Sequence, residues 1–268
     1  MATVQSTPAS ATPRIPIRKI SSADLGWSLR QGLADFGAMR GDILFAGVIY
    51  TLIGIAAVVM TTNRPLMPFF LPVVAGVGLL GPAAAVGFYE LARRREDGQN
   101  SGWRHFFDVA SRPSADDIAA VIGLLVAVFA AWLIAAGLLY LALFGWATPT
   151  SIGGFVSEVF TTSRGWSLIV SGLAIGAIFG WFVLALSVAS LPLLVDCDVS
   201  AGTAISASWR AAHANKAEML RWGLTVAVLL VLGSIPLFVG LAFVLPWLGY
   251  ATWHLYTKVV DRSAFAHR

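Results

Sequence analysis

Long runs of residues without Asp, Glu, Lys or Arg constrain this chain more than any other feature of its sequence. Five such runs cover residues 43–61, 66–89, 118–146, 166–195 and 222–257. A helix needs about 20 apolar residues to cross the roughly 30 Å of hydrocarbon in a bilayer. A chain that is 57% hydrophobic and only 12% charged has little polar surface with which to hide these runs from water. The sequence therefore predicts a single membrane domain built from transmembrane helices.

The last run, residues 222–257, is too long for one ordinary span and short for two. Gly233 and Pro236 lie near its middle, and both residue types interrupt helices. We predict a tight hairpin at this point and therefore six crossings, in an all-α polytopic membrane helix bundle. A re-entrant segment that enters the membrane and returns is the alternative.

The distribution of Lys and Arg predicts the orientation. In the six-span arrangement 16 of the 18 basic residues lie on one side, and only Arg64 and Arg164 lie on the other. Because cytoplasmic loops retain Lys and Arg, we expect both termini in the cytoplasm. Residues 1–20 are rich in Ser, Thr, Ala and Pro and predict a flexible tail, followed by the membrane domain, residues 21–260, and a short second tail, residues 261–268.

Three segments before the odd-numbered spans carry apolar residues at helical spacing, backed by polar residues such as Gln31 and Asp35 in the first of them. This pattern is typical of helices that lie along a membrane surface. The three apolar stripes are Leu25, Leu29, Leu33 and Phe36; Trp103, Phe106, Phe107 and Ala110; and Ile205, Trp209, Ala212 and Met219. Two explanations stay open: a threefold repeat of one surface helix plus one hairpin, or three independent interfacial anchors.

Gly172, Gly176 and Gly180 recur at every fourth residue of the fourth span. Small residues at this spacing let a second helix approach closely enough to gain packing that lipid does not replace. We predict a helix-packing face here. The partner helix is expected within the same chain, and a homodimer is the alternative.

Charged residues crowd the end of the second span, where Arg93, Arg94 and Arg95 follow one another. A cluster of this kind marks the cytoplasmic end of a span, and contact with anionic lipid headgroups is its functional alternative. The basic residues of the chain lie at the ends of apolar runs and form no continuous face. We therefore expect no nucleic acid partner in spite of a pI of about 9.6.

The sequence offers few groups for chemistry. Asp196, Cys197 and Asp198 follow the fourth span, and three adjacent residues of a helix do not all point to one metal ion. The two carboxylates are expected to raise the pKa of the thiol, so the end of a helix is the better interpretation. Ser208 and His213 lack a placed acid and an oxyanion site. We expect no catalytic residue, no metal site and no cofactor.

His254 lies one helical turn before Lys258, among aromatic residues. Tryptophan and tyrosine are enriched where a membrane meets water, so we interpret this histidine as an interfacial anchor and not as a ligand of haem or metal. The full set of predicted interfacial anchors is Trp103, Trp209, Trp247, Tyr250, Trp253, His254 and Tyr256.

Four stretches carry a resemblance to a known family: IRKISSADLGWSLRQGLADF, GPAAAVGFYELARRREDG, LPLLVDCDVSAGTAISASW and PLFVGLAFVLPWLGYATWHLY. At these stretches, within residues 14–260, the chain resembles a family of predicted bacterial integral membrane proteins known only as a domain of unknown function. The resemblance implies a bacterial inner-membrane protein and carries over no catalytic or binding residue. Histidine is common in the family where Tyr250 stands, so a two-histidine site is missing here.

Some members of that family are labelled as cytochrome c oxidase subunits. A haem-copper core needs six histidine ligands, whereas this chain has four histidines in total and only one near a span. The chain is therefore not such a core, although the role of an accessory subunit or assembly factor needs no ligands.

The expected function is non-enzymatic: a structural or accessory membrane protein that acts through helix packing and lipid contact. The absence of charge from the spans disfavours a proton-coupled transporter or an ion channel, and leaves a flippase-like carrier of an uncharged or lipid substrate as the alternative. An accessory subunit of a respiratory complex is the third. The expected partners are membrane lipids, with a homo-oligomer or a larger membrane complex as further possibilities.

Overall fold

The computed structural model describes residues 15–38, 52, 55–56, 59, 64–146, 148–236 and 238–264, and these residues form helices and turns without a β-sheet. The predicted first span, residues 43–61, lies almost entirely outside the described residues. The α-helices, numbered in chain order, are α1 (Ser22–Ala38), α2 (Phe70–Leu79), α3 (Gly81–Ala84), α4 (Val86–Glu96), α5 (Ala115–Phe144), α6 (Ile152–Thr161), α7 (Ser163–Ser187), α8 (Ser190–Asp196), α9 (Ala201–Ala214), α10 (Lys216–Ser234) and α11 (Leu241–Val259). Short 3₁₀ helices occupy Arg64–Phe69, Trp103–Ser111 and Arg262–Ala264.

Three helical stretches of the described chain are long and apolar enough to cross a membrane. They are α5, the combined stretch of α7 and α8 (Ser163–Asp196), and α10. The predicted all-α membrane helix bundle is therefore confirmed. The second apolar run, residues 66–89, is divided between a 3₁₀ helix and α2, α3 and α4, because Pro68, Pro72 and Pro82 lack a backbone N–H donor. The total of six crossings stays a prediction.

The break predicted within residues 222–257 is confirmed. α10 ends at Ser234, and α11 begins at Leu241 after a short turn. Gly233 and Gly240 meet at this turn: a Cβ on Gly240 would lie 2.8 Å from the Cα of Gly233. The two helices approach this closely because neither glycine carries a side chain.

The most deeply buried part of the described chain surrounds α8 and the second half of α11. Leu191, Leu193 and Leu194 of α8 have no accessible surface. α11 packs against α1 along its length and also contacts α4, α8 and α10. This helix is therefore a central element of the bundle.

The segment 15–20 is packed, although it falls within the predicted flexible tail. Ile15 is buried, and Ile17 forms an isolated antiparallel bridge with Val260. The backbone N–H of Arg18 donates to the carbonyl oxygen of Val259 at 2.8 Å. Packed structure is therefore present at Ile15, ahead of the predicted boundary at residue 21.

α1 is a helix as predicted, and Leu25, Leu29 and Phe36 of its predicted stripe pack against the core. Its buried residues are Leu25, Ser28, Gly32 and Asp35, whereas Leu33 of the predicted apolar stripe is 43% exposed. The reason is close contact with α11, where a Cβ on Gly32 would lie 2.5 Å from the backbone nitrogen of Ala251. A helix that packs backbone against backbone turns its smallest residues inward, and hydrophobicity alone does not reveal their burial.

The other two predicted surface helices differ from α1. The second forms the 3₁₀ helix Trp103–Ser111. The third forms α9, which ends at Ala214, so Met219 of its predicted stripe belongs to α10. Because the three segments do not share one conformation, the structure argues against a threefold repeat.

Candidate functional site

The glycine face predicted on the fourth span borders a cavity. A Cβ on Gly180 would meet no described atom within 4 Å, and a Cβ on Gly172 would only reach Leu139 at 4.0 Å. At Gly176 the nearest atoms, at 3.5 and 3.7 Å, belong to the side chain of Trp132, which is ordinary van der Waals contact. Among the described residues, side chains of α5 and not the backbone of a second helix meet this face, and the close approach of another helix stays a prediction.

The cavity in front of the glycines has a volume of about 710 Å³, within the usual range of about 300–1,000 Å³ for ligand sites. α7 forms one wall, and α2 to α4, α10 and α11 form the others. The lining on α7 runs from Gly172 to Ser187, which is roughly 22 Å at a rise of 1.5 Å per residue. This length is most of the hydrocarbon thickness of a bilayer. We call this space the glycine cavity.

Exposed side chains of α7 and α10 form the rim of the glycine cavity. Leu173 on α7 is 70% exposed and Leu224 on α10 is 67% exposed. Ala177 and Ala227 lie beside them on the same two helices and are also exposed. Both helices are long and apolar enough to cross a membrane. Among the described residues, the glycine cavity is bounded on this side by exposed apolar side chains.

The part of the glycine cavity's lining that the structure describes is uncharged. Among the described residues that line it, none is Asp, Glu, Lys, Arg or His. Its polar residues include Tyr89, Ser187 and Thr252, of which Tyr89 is 1% and Ser187 2% exposed. A surface of this kind holds hydrocarbon through apolar contact and orients it through a few hydrogen bonds.

Ion pairs gather at the end of the bundle where α4 ends at Glu96 and α11 at Val259, which we call the charged end. Glu90 of α4 is only 1% exposed there. Arg93 donates two hydrogen bonds to its carboxylate, at 2.8 and 3.1 Å, and Arg112 donates one at 3.1 Å. A third guanidinium group, that of Arg94, lies 3.7 Å from the same carboxylate. Glu90 thus joins α4 to the segment that leads into α5.

Arg93, Arg94 and Arg95 make contacts within the protein, and their contact with lipid headgroups stays a prediction. Arg94 donates to Asp108 at 3.2 Å, and Arg95 lies 3.1 Å from Asp35. Hydrogen bonding to Glu90 and its negative charge raise the pKa of the Arg93 guanidinium above its ordinary value, in spite of the opposing effect of burial. Each of the three arginines therefore has a carboxylate of the same chain as its partner.

The side chain of His254 contacts α1. The prediction places this side chain at the boundary between membrane and water. Its Nε2 lies 2.7 Å from Oδ2 of Asp35, and the Trp27 ring packs edge-on at a centroid distance of 5.5 Å. The ammonium group of Lys258 lies over the same Trp27 ring, 4.1 Å from its centroid. The interfacial-anchor interpretation is corrected because α1 covers this part of α11.

The other predicted anchors divide into buried and exposed residues. Tyr250, Trp253 and Tyr256 have no accessible surface, so their placement at a lipid–water boundary is wrong; they are core residues because α1, α4 and α8 surround α11. Trp247 donates its indole N–H to the carbonyl oxygen of Leu29. Trp103 stacks on Phe106, whereas Trp209 is 37% exposed.

Asp196, at the end of α8, is an attachment point for the end of the chain. It accepts hydrogen bonds from the Tyr256 hydroxyl at 2.8 Å and from Arg262 at 2.8 and 3.1 Å. Burial, followed by the negative charge of Asp196, raises the pKa of the neighbouring Cys197 thiol to about 11. That shift has the predicted direction and leaves the thiol protonated at neutral pH. No group of three His, Cys, Asp or Glu side chains suited to a metal ion occurs among the described residues.

The second wall of the glycine cavity was not predicted from the sequence. The sequence nevertheless carries a signal for this wall, a row of small residues on the second apolar run at helical spacings of three and four: Ala75, Gly78, Gly81 and Ala85. Two rows of small residues on separate spans are compatible with either close packing or a shared space. Only the tertiary structure distinguishes these outcomes.

Comparison with known proteins supports the membrane assignment. Residues 70–196 match the model of a family described as predicted integral membrane protein (DUF2189). The match confirms the family resemblance over that range, which contains α2 to α8, the glycines of α7 and Glu90. No curated protein and no solved structure matches the chain.

Proposed function

We propose that this integral membrane protein is non-enzymatic and binds the hydrocarbon part of a membrane lipid in the glycine cavity. The observation that carries the proposal is a cavity of about 710 Å³, uncharged among its described lining residues and bordered by two helices that are long and apolar enough to cross a membrane. Burial of apolar surface drives binding in such a site only where the ligand gains contacts that surrounding lipid does not offer. Of the tryptophan side chains in the lining, the half-buried Trp181 supplies apolar surface for such contacts.

The far end of the bundle supplies further contact with lipid. α6 connects α5 to α7, and its exposed face carries Ile152, Val156 and Phe160 at spacings of one helical turn. Trp146 and Trp166 are exposed on either side of this helix. A short amphipathic helix flanked by exposed tryptophans fits the lipid–water boundary. The lipid contact expected from the sequence is thus supported at two places.

A carrier of an uncharged or lipid substrate is the second candidate. It is favoured by the exposed apolar side chains of α7 and α10 that border the glycine cavity, because a ligand that enters between them from the bilayer does not cross water. A carrier must release its ligand on the other side, whereas a lipid-binding accessory protein retains it. Transfer of lipid between the leaflets of protein-containing vesicles separates the two functions.

Filling the glycine cavity is expected to abolish most lipid binding. In Gly180→Leu the new side chain meets no described atom near its Cβ, so it enters the cavity without pushing on the backbone. We expect labelling of the cavity by a photoactivatable hexadecane to fall about tenfold, equivalent to about 1.4 kcal/mol, because the leucine side chain occupies space that the hydrocarbon chain would fill. Mass spectrometry of the purified, full-length protein in phosphatidylcholine nanodiscs measures the label on α7 and α10.

Ala174→Leu is the matched control, because Ala174 lies on the same helix, is exposed and does not line the cavity. Its labelling is expected to equal that of the natural sequence. Equal labelling of the Gly180→Leu variant would contradict the proposal.

We further propose that both termini lie in the cytoplasm and that the protein belongs to a bacterial inner membrane. Reporter fusions after Arg95, Lys216 and Arg268 are expected to be cytoplasmic, and those near Arg64 and Glu158 periplasmic, because 16 of the 18 basic residues then lie inside. Two reporters measure the side of the membrane on which each fusion point lies. One is a phosphatase active only outside the cytoplasm, and the other is a fluorescent protein active only inside. A periplasmic carboxy terminus would rule out the six-span arrangement.

A further inference from the structure

We infer that the ligand of the glycine cavity is a neutral long-chain alcohol, with its hydrocarbon along α7 and its hydroxyl group at Tyr89, Ser187 and Thr252. The inference rests on the proposed function and names the class of ligand. It depends on three features of the lining: where the hydroxyls lie, which of their hydrogen-bonding groups are used, and the absence of charge.

The three hydroxyls lie at one end of the cavity, towards the charged end of the bundle. Tyr89 is the last lining residue of the segment α2 to α4, Thr252 is the last on α11, and Ser187 is the last on α7. The side chains of Tyr89 and Thr252 lie close enough to interact with each other. Polar groups from three helices thus converge where the apolar lining ends.

Two of these hydroxyl groups donate their hydrogen to a backbone carbonyl oxygen of their own helix. Ser187 Oγ donates to the carbonyl oxygen of Val183 at 2.7 Å, and Thr252 Oγ1 donates to that of Leu248 at 2.7 Å. A hydroxyl oxygen has two acceptor lone pairs, so acceptor capacity remains at both residues. The cavity therefore suits a ligand group that donates a hydrogen bond. An alcohol has such a group, and an alkane, a ketone or an ester lacks it.

The lack of charge excludes the acidic alternatives. Among the described lining residues none bears a charge that would compensate a phosphate or a carboxylate. Burying an unpaired charge is costly in an apolar site within the membrane. A fatty acid anion or a phosphate headgroup is therefore a poor occupant. A neutral alcohol brings no charge into the uncharged lining.

Competition against the photoactivatable hexadecane tests the inference on the full-length protein in nanodiscs. The competitors are hexadecane, 1-hexadecanol and palmitate at pH 8. We expect 1-hexadecanol to compete about three- to tenfold better than hexadecane, which is the effect of one or two hydrogen bonds. Palmitate is expected to compete worse than hexadecane.

Two variants that remove a hydroxyl group then locate the contact between the ligand's hydroxyl and the protein. Thr252→Val and Ser187→Ala should each reduce the advantage of 1-hexadecanol over hexadecane while leaving competition by hexadecane unchanged. Thr225→Val on α10 is the control, because the Thr225 hydroxyl bonds only its own helix and the residue does not line the cavity. A melting curve of each variant verifies that it is folded.

The outcomes separate the inference from the proposed function. If 1-hexadecanol competes no better than hexadecane, or palmitate competes as well as the alcohol, the inference is overturned and hydrocarbon binding stands. If the alcohol keeps its full advantage in both folded variants, the assigned contact is wrong. If no competitor reduces labelling of the natural sequence, the cavity has no saturable site and the proposed function itself fails.

Discussion

Replacement of Glu90 by glutamine is expected to lower the free energy of unfolding by about 3–5 kcal/mol, the usual cost of breaking a buried ion pair by removing one partner. The Glu90 carboxylate is 1% exposed and faces the guanidinium groups of Arg93, Arg94 and Arg112. Glutamine has nearly the same shape and no charge, so it leaves three cations with reduced compensation. The apparent melting temperature in mild detergent should fall by roughly 10 °C.

Asp97→Asn is the control for this prediction. Asp97 pairs with Arg93 as Glu90 does, at 3.0 Å, but its side chain is 39% exposed. Exposed ion pairs contribute about 0–1 kcal/mol, so its melting temperature should change little. Equal shifts in the two variants would show that the Glu90 cluster does not stabilise the charged end more than an exposed pair does.

Replacement of Gly32 by alanine is expected to loosen α1 from α11. Alanine favours a helix over glycine by about 1 kcal/mol, so the local effect alone would be stabilising. At this position, however, the added Cβ would lie 2.5 Å from the backbone nitrogen of Ala251 and 2.7 Å from its Cα. Backbone atoms do not move aside as a flexible side chain does, and overpacking of this kind costs about 1–3 kcal/mol.

The measurement is limited proteolysis at α1 together with a melting curve. Gly26→Ala on the same helix is the matched control, since a Cβ there would only approach an Arg30 nitrogen at 3.9 Å. We expect Gly26→Ala to be neutral or stabilising and Gly32→Ala to be cleaved faster. A Gly32→Ala protein as resistant as the control would mean that α1 and α11 are not packed backbone against backbone.

Undocking of α1 would also separate His254 from Asp35. These two side chains, 2.7 Å apart, are 219 positions apart in the sequence, and Arg95 meets the same aspartate from α4. Three helices therefore share one polar contact inside the charged end. An aromatic setting around His254 was visible in the sequence, but its aspartate partner was not, because Asp35 looked like the outer face of a surface helix.

For the glycines of α7, as for His254, the sequence does not show which groups lie opposite them. A spacing of four places Gly172, Gly176 and Gly180 on one face, and this much follows from helix geometry. Whether that face meets a helix or an open space depends on where α10 and the segment α2 to α4 lie. In this protein the neighbouring helices remain far enough from Gly180 to leave a cavity.

The sequence by itself determined the class of protein, the helical character of its apolar runs and the break between α10 and α11. These properties depend on local quantities, namely the length of an uncharged run against the thickness of a bilayer and the loss of helical hydrogen bonds near proline. The tertiary structure alone decided that Tyr250, Trp253 and Tyr256 are core residues, that Arg93, Arg94 and Arg95 pair with carboxylates, and that the glycines line a cavity. The physical reason is that a side chain's surroundings are supplied by helices distant in sequence, and aromatic, basic and small residues each suit both lipid-facing and buried positions.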